Sequence, residues 1–159
     1  MKSKAIYPGT FDPVTYGHID LIKRAVKIFG TVIIAVARNA DKDPLFTVQE
    51  RVSMVREATK GIRGVVIEDF DGLVVDYVRK KGASVMVRGL RMISDFEYEF
   101  QMTLTNRKLA PDIETIFMMP SESYSYLSSK LIKEASALGA DVRAFVPGFV
   151  AKALAKKLR

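Results

Sequence analysis

Apolar positions alternate along the chain between short continuous runs and stripes at helical spacing, the signature of strands interleaved with amphipathic helices. Residues 5–7 form a short strand candidate, and 31–37 (TVIIAVA), 65–68, 84–87 and 115–119 read as strands buried on both faces. Between them, 18–29 places Leu21, Ala25 and Ile28, with Ile22, Val26 and Phe29 beside them, on one broad helical face that Gly30 terminates. Thr47 with Glu50 is a capping-box pattern opening a helix to about residue 60, and Ser94 with Glu97 repeats it before a helix ending near Pro111. In the latter, Phe96, Phe100 and Leu104 read as core. Residues 73–81 close at Gly82 and 128–138 at Gly139. A last helix, about 148–158, follows Pro147 with Lys152, Lys156, Lys157 and Arg159 on its solvated side.

Strands separated by helices of crossover length require parallel pairing, and right-handed crossovers wrap helices over both faces. The pattern therefore predicts an α/β class, a single doubly wound, Rossmann-like domain over 1–159 with a five-stranded parallel sheet. In such a sheet ligands bind beyond the carboxyl ends of the strands, where strand order reverses. No repeat, linker or low-complexity tract interrupts it.

Composition narrows the chemistry. The chain has 159 residues, room for one domain, with hydrophobic and charged fractions of 48% and 27% that suit a packed core rather than disorder. The longest apolar run, 32–37, falls far short of the roughly 20 residues that span a bilayer. Pro8 and Gly9 break the N-terminal apolar stretch before a signal-peptide core forms, so a cytoplasmic location is expected. Cysteine is absent, which excludes disulfides, thiolate nucleophiles and thiolate metal sites. His18 is the single histidine, so no multi-histidine metal site exists. A net charge of +7 favours an anionic ligand without naming it.

Three segments leave the carboxyl ends of predicted strands. Tyr7-Pro8-Gly9-Thr10-Phe11-Asp12-Pro13 runs to Thr15-Tyr16-Gly17-His18 at a helix start. Two glycines and a positive dipole end make it either a phosphate cradle or an ordinary βα turn with an exposed histidine. Neither a dinucleotide fingerprint nor a Walker A ending is present. Val87-Arg88-Gly89-Leu90-Arg91 offers two forked cations that suit phosphates, or solvated loop arginines. The serine-rich run from Pro120 to Lys130 either caps a helix or faces donors toward a polyphosphate. Convergence of all three on one sheet edge favours the anion-binding readings. Lys42, after the second strand, reaches the same edge or stays in a solvated loop. In the helix after Ser94, Tyr98 and Glu99 could reach a ligand, while for Asp95, Glu97 and Glu99 the plain explanation is complementarity to a helix dipole.

The order Tyr-Pro-Gly-Thr-Phe-Asp-Pro, Thr-Tyr-Gly-His-Ile-Asp, Arg-Gly-Leu-Arg, Asp-Phe-Glu-Tyr-Glu and Ser-Ser-Lys-Leu-Ile-Lys resembles the bacterial phosphopantetheine adenylyltransferase family, over essentially the whole chain. That resemblance implies transfer of an adenylyl group from ATP to 4′-phosphopantetheine, giving 3′-dephospho-coenzyme A and pyrophosphate in the penultimate step of coenzyme A synthesis, with magnesium. It implies that Thr10 lies between the reacting phosphates and that His18 stabilises the transition state. Phe11, Gly89, Leu90, Arg91, Glu99, Tyr124, Ser125, Tyr126, Leu127, Ser128, Ser129 and Lys130 match ATP-binding positions. Lys42 and Arg88 match ligands of the acceptor phosphate, and Val74 lies where the pantetheine arm meets backbone. A homohexamer and feedback inhibition by coenzyme A are implied as well.

The chain departs from the wider superfamily at Thr15, where histidine is usual outside this branch, and at Lys130, where serine or threonine is common. Lys133 stands where arginine is frequent, and Tyr124 where some members carry tryptophan. The residue inventory suits the chemistry, because a phosphate nucleophile arrives deprotonated and needs no general base. Magnesium held mainly through substrate phosphates needs no carboxylate cluster. Three rivals fit less well. A related enzyme acting on nicotinamide mononucleotide or a phosphocholine-like acceptor would differ at Lys42 and Arg88. Nucleic-acid binding would call for clustered basic residues with interleaved aromatics, which are lacking. A class I aminoacyl-tRNA synthetase would need a longer chain.

Overall fold

The computed structural model describes residues 3–39 and 43–159. Strands β1 (Lys4–Gly9), β2 (Thr31–Ala37), β3 (Val65–Phe70), β4 (Val85–Gly89) and β5 (Glu114–Met118) pair in parallel in the order β3-β2-β1-β4-β5. Between them and after β5 lie α1 (Tyr16–Phe29), α2 (Val48–Ala58), α3 (Val74–Lys80), α4 (Ile93–Leu109), α5 (Ser129–Ala137) and α6 (Gly148–Leu158). Strand order reverses between β1 and β4, so the loops leaving those strands diverge and open a crevice at the carboxyl edge.

The two-residue period of the strands divides the core. Ala5, Tyr7, Val32, Ile34, Val36 and Val87 face a cluster built with α1, α2, α5 and α6. Ile6, Ile33, Ala35 and Met86 face a smaller one with α3 and the end of α4. Only β2 and β1 are buried almost throughout; β3 and β5, read from sequence as fully buried, are partly exposed along their length. They are the two edges of the sheet, each with a neighbour on one side only.

Other expectations shift for identifiable reasons. Thr47 and Glu50 do form the reciprocal capping box of α2. Ser94 is not the N-cap of α4, which begins at Ile93; the N-cap is Met92, two residues before Ser94, and makes no side-chain cap bond. Ile28 is 62% exposed, beyond the apolar face of α1. Phe96, Phe100 and Leu104 are about half exposed rather than core, because this side of the sheet carries only two helices and α4 turns that stripe outward. On α6, Lys157 pairs with Glu50 at 3.1 Å and lies over the Phe46 ring, while Arg159 donates to the Ser136 carbonyl.

Candidate active site

The start of α1 sets the first element of the site. Thr15 is its N-cap, and its hydroxyl accepts the His18 N–H. The Thr15 backbone N–H in turn donates to His18 Nδ1 at 3.0 Å. A backbone amide can only donate, so Nδ1 is the acceptor and the neutral imidazole carries its proton on Nε2. Burial, reinforced by the charges of Arg91 and then Arg88, lowers the His18 pKa to about 4. At neutral pH His18 is therefore an uncharged donor held in one tautomer.

Phe11 supports that ring, with centroids 4.9 Å apart, and packs edge-on against Tyr7. Its backbone has φ 52°, the left-handed region that a bulky residue enters only when its surroundings impose it. Gly9 makes room for the same ring, because a Cβ there would stand 2.9 Å from its edge. Burial pushes the Tyr7 phenol up to about 12, so it stays protonated.

The cations of the site are held by carboxylates. Arg88 meets Glu99 through two bonds, Nε at 3.0 Å and Nη2 at 2.5 Å, and donates from Nη1 to the Pro8 carbonyl at 2.8 Å. Three of the five guanidinium N–H donors are thus used and two remain. Arg91 pairs with Asp95 and donates to the Leu127 carbonyl. Lys133 meets Asp12 at 2.9 Å. Glu99, which the sequence offered either as a ligand contact or as a complement to the helix dipole, is buried and serves to orient Arg88. At α5, Ser128 is the N-cap, accepting from the Leu131 N–H, and Ser129 donates its hydroxyl proton to the Pro13 carbonyl. Ser129 thus has no hydroxyl proton left for a ligand.

Two cavities meet over this arrangement. The larger, about 620 Å³, is lined by Thr10, Phe11, His18, Arg88, Gly89, Arg91, Glu99, Tyr124, Leu127, Ser128, Ser129 and Lys130, all singled out from sequence. The smaller, about 270 Å³, has Val74, Phe70, Tyr98 and Met102 in its wall. Pro8, Gly9, Thr10 and Arg88 border both. Leu90, Ser125 and Tyr126 are not lining residues: the Leu90 N–H bonds the Met118 carbonyl, the Ser125 hydroxyl bonds the Glu122 carbonyl, and Tyr126 packs on Phe145. Lys42 lies outside the described residues.

A cytidylyltransferase-like family model matches residues 6–135. Phosphopantetheine adenylyltransferase of Caldanaerobacter subterraneus subsp. tengcongensis is 54% identical over 155 residues, 98% of this chain and 97% of that protein. Its counterpart in Alkaliphilus metalliredigens is 51% identical over 152 residues, 96% of this chain and 97% of that protein. The chain belongs to the phosphopantetheine adenylyltransferase family. Among solved structures, a bifunctional NMN adenylyltransferase/ADP ribose pyrophosphatase from Francisella tularensis, with AMP and a manganese ion, superposes with TM-score 0.72. That match has 15% identity and covers 98% of this chain and 49% of the other, so it speaks for the fold alone.

Within this phosphopantetheine adenylyltransferase family member, Asp12, Asp95 and Lys133 also line the larger cavity, and sequence reasoning gave none of them a part in the site. Lys133 had a signal, standing one helical turn after Ser129 on α5. Asp12 had none, since its partners lie far along the chain. No helix among the described residues is long and apolar enough to cross a membrane.

Proposed function

We propose that the chain transfers the adenylyl group of ATP to 4′-phosphopantetheine, with the nucleotide in the larger cavity and the pantetheine arm in the smaller one along Val74. What carries this reading is the border of the two cavities, where Thr10 and the open donors of Arg88 stand together. A phosphate held there is both the handle and the nucleophile. One of its oxygens bonds to the α-phosphorus of ATP, the bond from that phosphorus to the bridging oxygen breaks, and pyrophosphate leaves with the electron pair. No covalent enzyme intermediate is needed.

Thr10 orients the two substrates, and the Nε2–H of His18 meets charge developing on the transferring group. Arg88, with Lys42, holds the acceptor phosphate. Arg91, Lys130 and the start of α5 face the pyrophosphate, while Gly89, Leu90, Glu99 and the stretch 124–127 border the nucleotide by contact or by backbone support. Asp12, Asp95 and Glu99 are each engaged by a basic side chain. That donor set fits a magnesium ion that takes phosphate oxygens and water as ligands and neutralises phosphate charge when bound. The described residues form one nucleotidylyltransferase domain. The reaction belongs in the cytoplasm where ATP is supplied, in a homohexamer whose product line ends in the feedback inhibitor coenzyme A.

Pyrophosphate release with ATP and each acceptor in turn tests the reading. 4′-Phosphopantetheine should turn over, with dephospho-coenzyme A identified by mass. Unphosphorylated pantetheine should be inert, because it lacks the charged handle and its hydroxyl would need a base. Turnover of nicotinamide mononucleotide with none of 4′-phosphopantetheine would sink the acceptor assignment and leave adenylyl transfer standing.

A further inference from the structure

Arg51, on α2, is 1% exposed, the largest fully buried side chain among the described residues. Its guanidinium gathers three backbone carbonyls from three segments: Thr10 at 2.9 Å, Ala37 at 2.8 Å and Phe46 at 3.1 Å. Thr10 borders both cavities and Ala37 the smaller, while Phe46 follows Pro44 of the larger one's wall. Asp12 grips the same region from the other side. Its carboxylate, 5% exposed, accepts the N–H groups of Leu45 and Phe46, both at 2.9 Å. Phe46 is thus clamped at its N–H by Asp12 and at its carbonyl by Arg51.

We infer that Arg51 is a positioning residue, fixing the loop after β1 against the loop after β2 so that Thr10 stands at the junction of the two cavities. The inference rests on the reading of the site proposed above. Filling core volume does not require a charge, and removing a guanidinium from water is costly unless hydrogen bonds offset the loss. Here Nε and both Nη1 protons go to backbone carbonyls, two of them belonging to Thr10 and Ala37, which line the cavities. The strained backbone at Phe11 explains why an anchor is needed: Thr10 precedes it and Asp12 follows it, so the two clamps flank the residue whose φ is 52°. Lysine carries the charge as a point and lacks the planar fork that serves carbonyls in three directions.

The test is a set of variants in the full chain. Wild-type turnover of ATP with 4′-phosphopantetheine comes first. If that acceptor fails, the substrate reading has failed, and the variants are compared on whichever acceptor the wild type uses. Arg51→Met and Arg51→Lys, assayed well below their melting temperatures, should lower kcat about 10- to 100-fold, lysine less than methionine, because small misplacements of reacting groups are costly. ATP Kd should stay within about threefold, which a general loss of structure would not allow. Thr10→Ala should lower kcat in the wild type yet add less than about threefold in Arg51→Met, since residues acting through one another are not additive. A folded Arg51→Met with wild-type kcat, or effects of the two changes that multiply, would overturn the inference. Failure of both Arg51 variants to fold would overturn it too, in favour of a purely structural role.

Discussion

His18 is the single histidine, so one imidazole signal reports its titration. In the free protein the NMR midpoint should lie near pH 4, because burial and two nearby arginines disfavour the imidazolium. Bound ATP brings negative charge and should raise it. The folded value is below that of an unfolded histidine, so the unfolded chain binds the proton more readily as pH falls from 6.5 toward 4. His18 thus subtracts stability through that window and nothing above it. His18→Gln should flatten this part of a stability profile measured by urea titration at several pH values. His18→Ala should cost turnover roughly 3 to 4 kcal/mol of transition-state stabilisation with little change in ATP binding, as for loss of a donor to developing charge. Near-normal turnover would remove the catalytic role. At this scale residue type was legible, since two arginines and one histidine at strand ends announce anion chemistry. The carboxylates around them were not: Glu99 acquires meaning only once α4 meets the end of β4, and Asp12 once α5 brings Lys133 to it.

Elements were legible where local chemistry governs them. Thr47 and Glu50 lie three apart and satisfy each other's donors, so the start of α2 could be read directly. The start of α1 was read two residues late because its capping box uses His18 in place of the usual Glu or Gln, a substitution no local rule anticipates. Arg51 went unread. It lies on the same stripe as Met54 and Val55, a cation where the pattern asks for an apolar residue, and that mismatch was the available signal. Packing between elements also constrains backbone. Gly64 has φ 87°, and a Cβ there would stand 2.1 Å from the Gly30 carbonyl oxygen, where β2 and β3 begin. Gly64→Ala should destabilise the fold by more than about 1 kcal/mol, through both left-handed strain and the clash. Thermal unfolding checks this, and an unchanged melting temperature would mean the β2–β3 entry is not tightly packed.

At the scale of the molecule, the stripe of Phe96, Phe100 and Leu104 is apolar, about half exposed, and has Phe96 stacked on Phe100 with centroids 5.6 Å apart. Closed oligomers hide patches of this kind, so we place the contacts of the proposed homohexamer on α4. Light scattering at micromolar concentration should give a hexamer for the native chain and smaller species for Phe100→Glu, whose charge cannot be buried without a partner. A monomer in the unaltered protein would count against that assembly.

The sequence by itself determined the alternation of strands and helices, the doubly wound class, and the edge of the sheet at which chemistry belongs. These follow from periodicity, turn residues and the handedness of crossovers, which act within a few residues or follow from general rules of topology. Only the tertiary structure decided that β3 and β5 are edges, that α4 shows its aromatic stripe to the outside, and that Arg88 comes already oriented by Glu99. It also brought Arg51 to the carbonyls of Thr10 and Ala37, 41 and 14 residues away. Burial and hydrogen bonding between distant segments depend on which surfaces meet, and the chain's local pattern specifies a surface without specifying its neighbour.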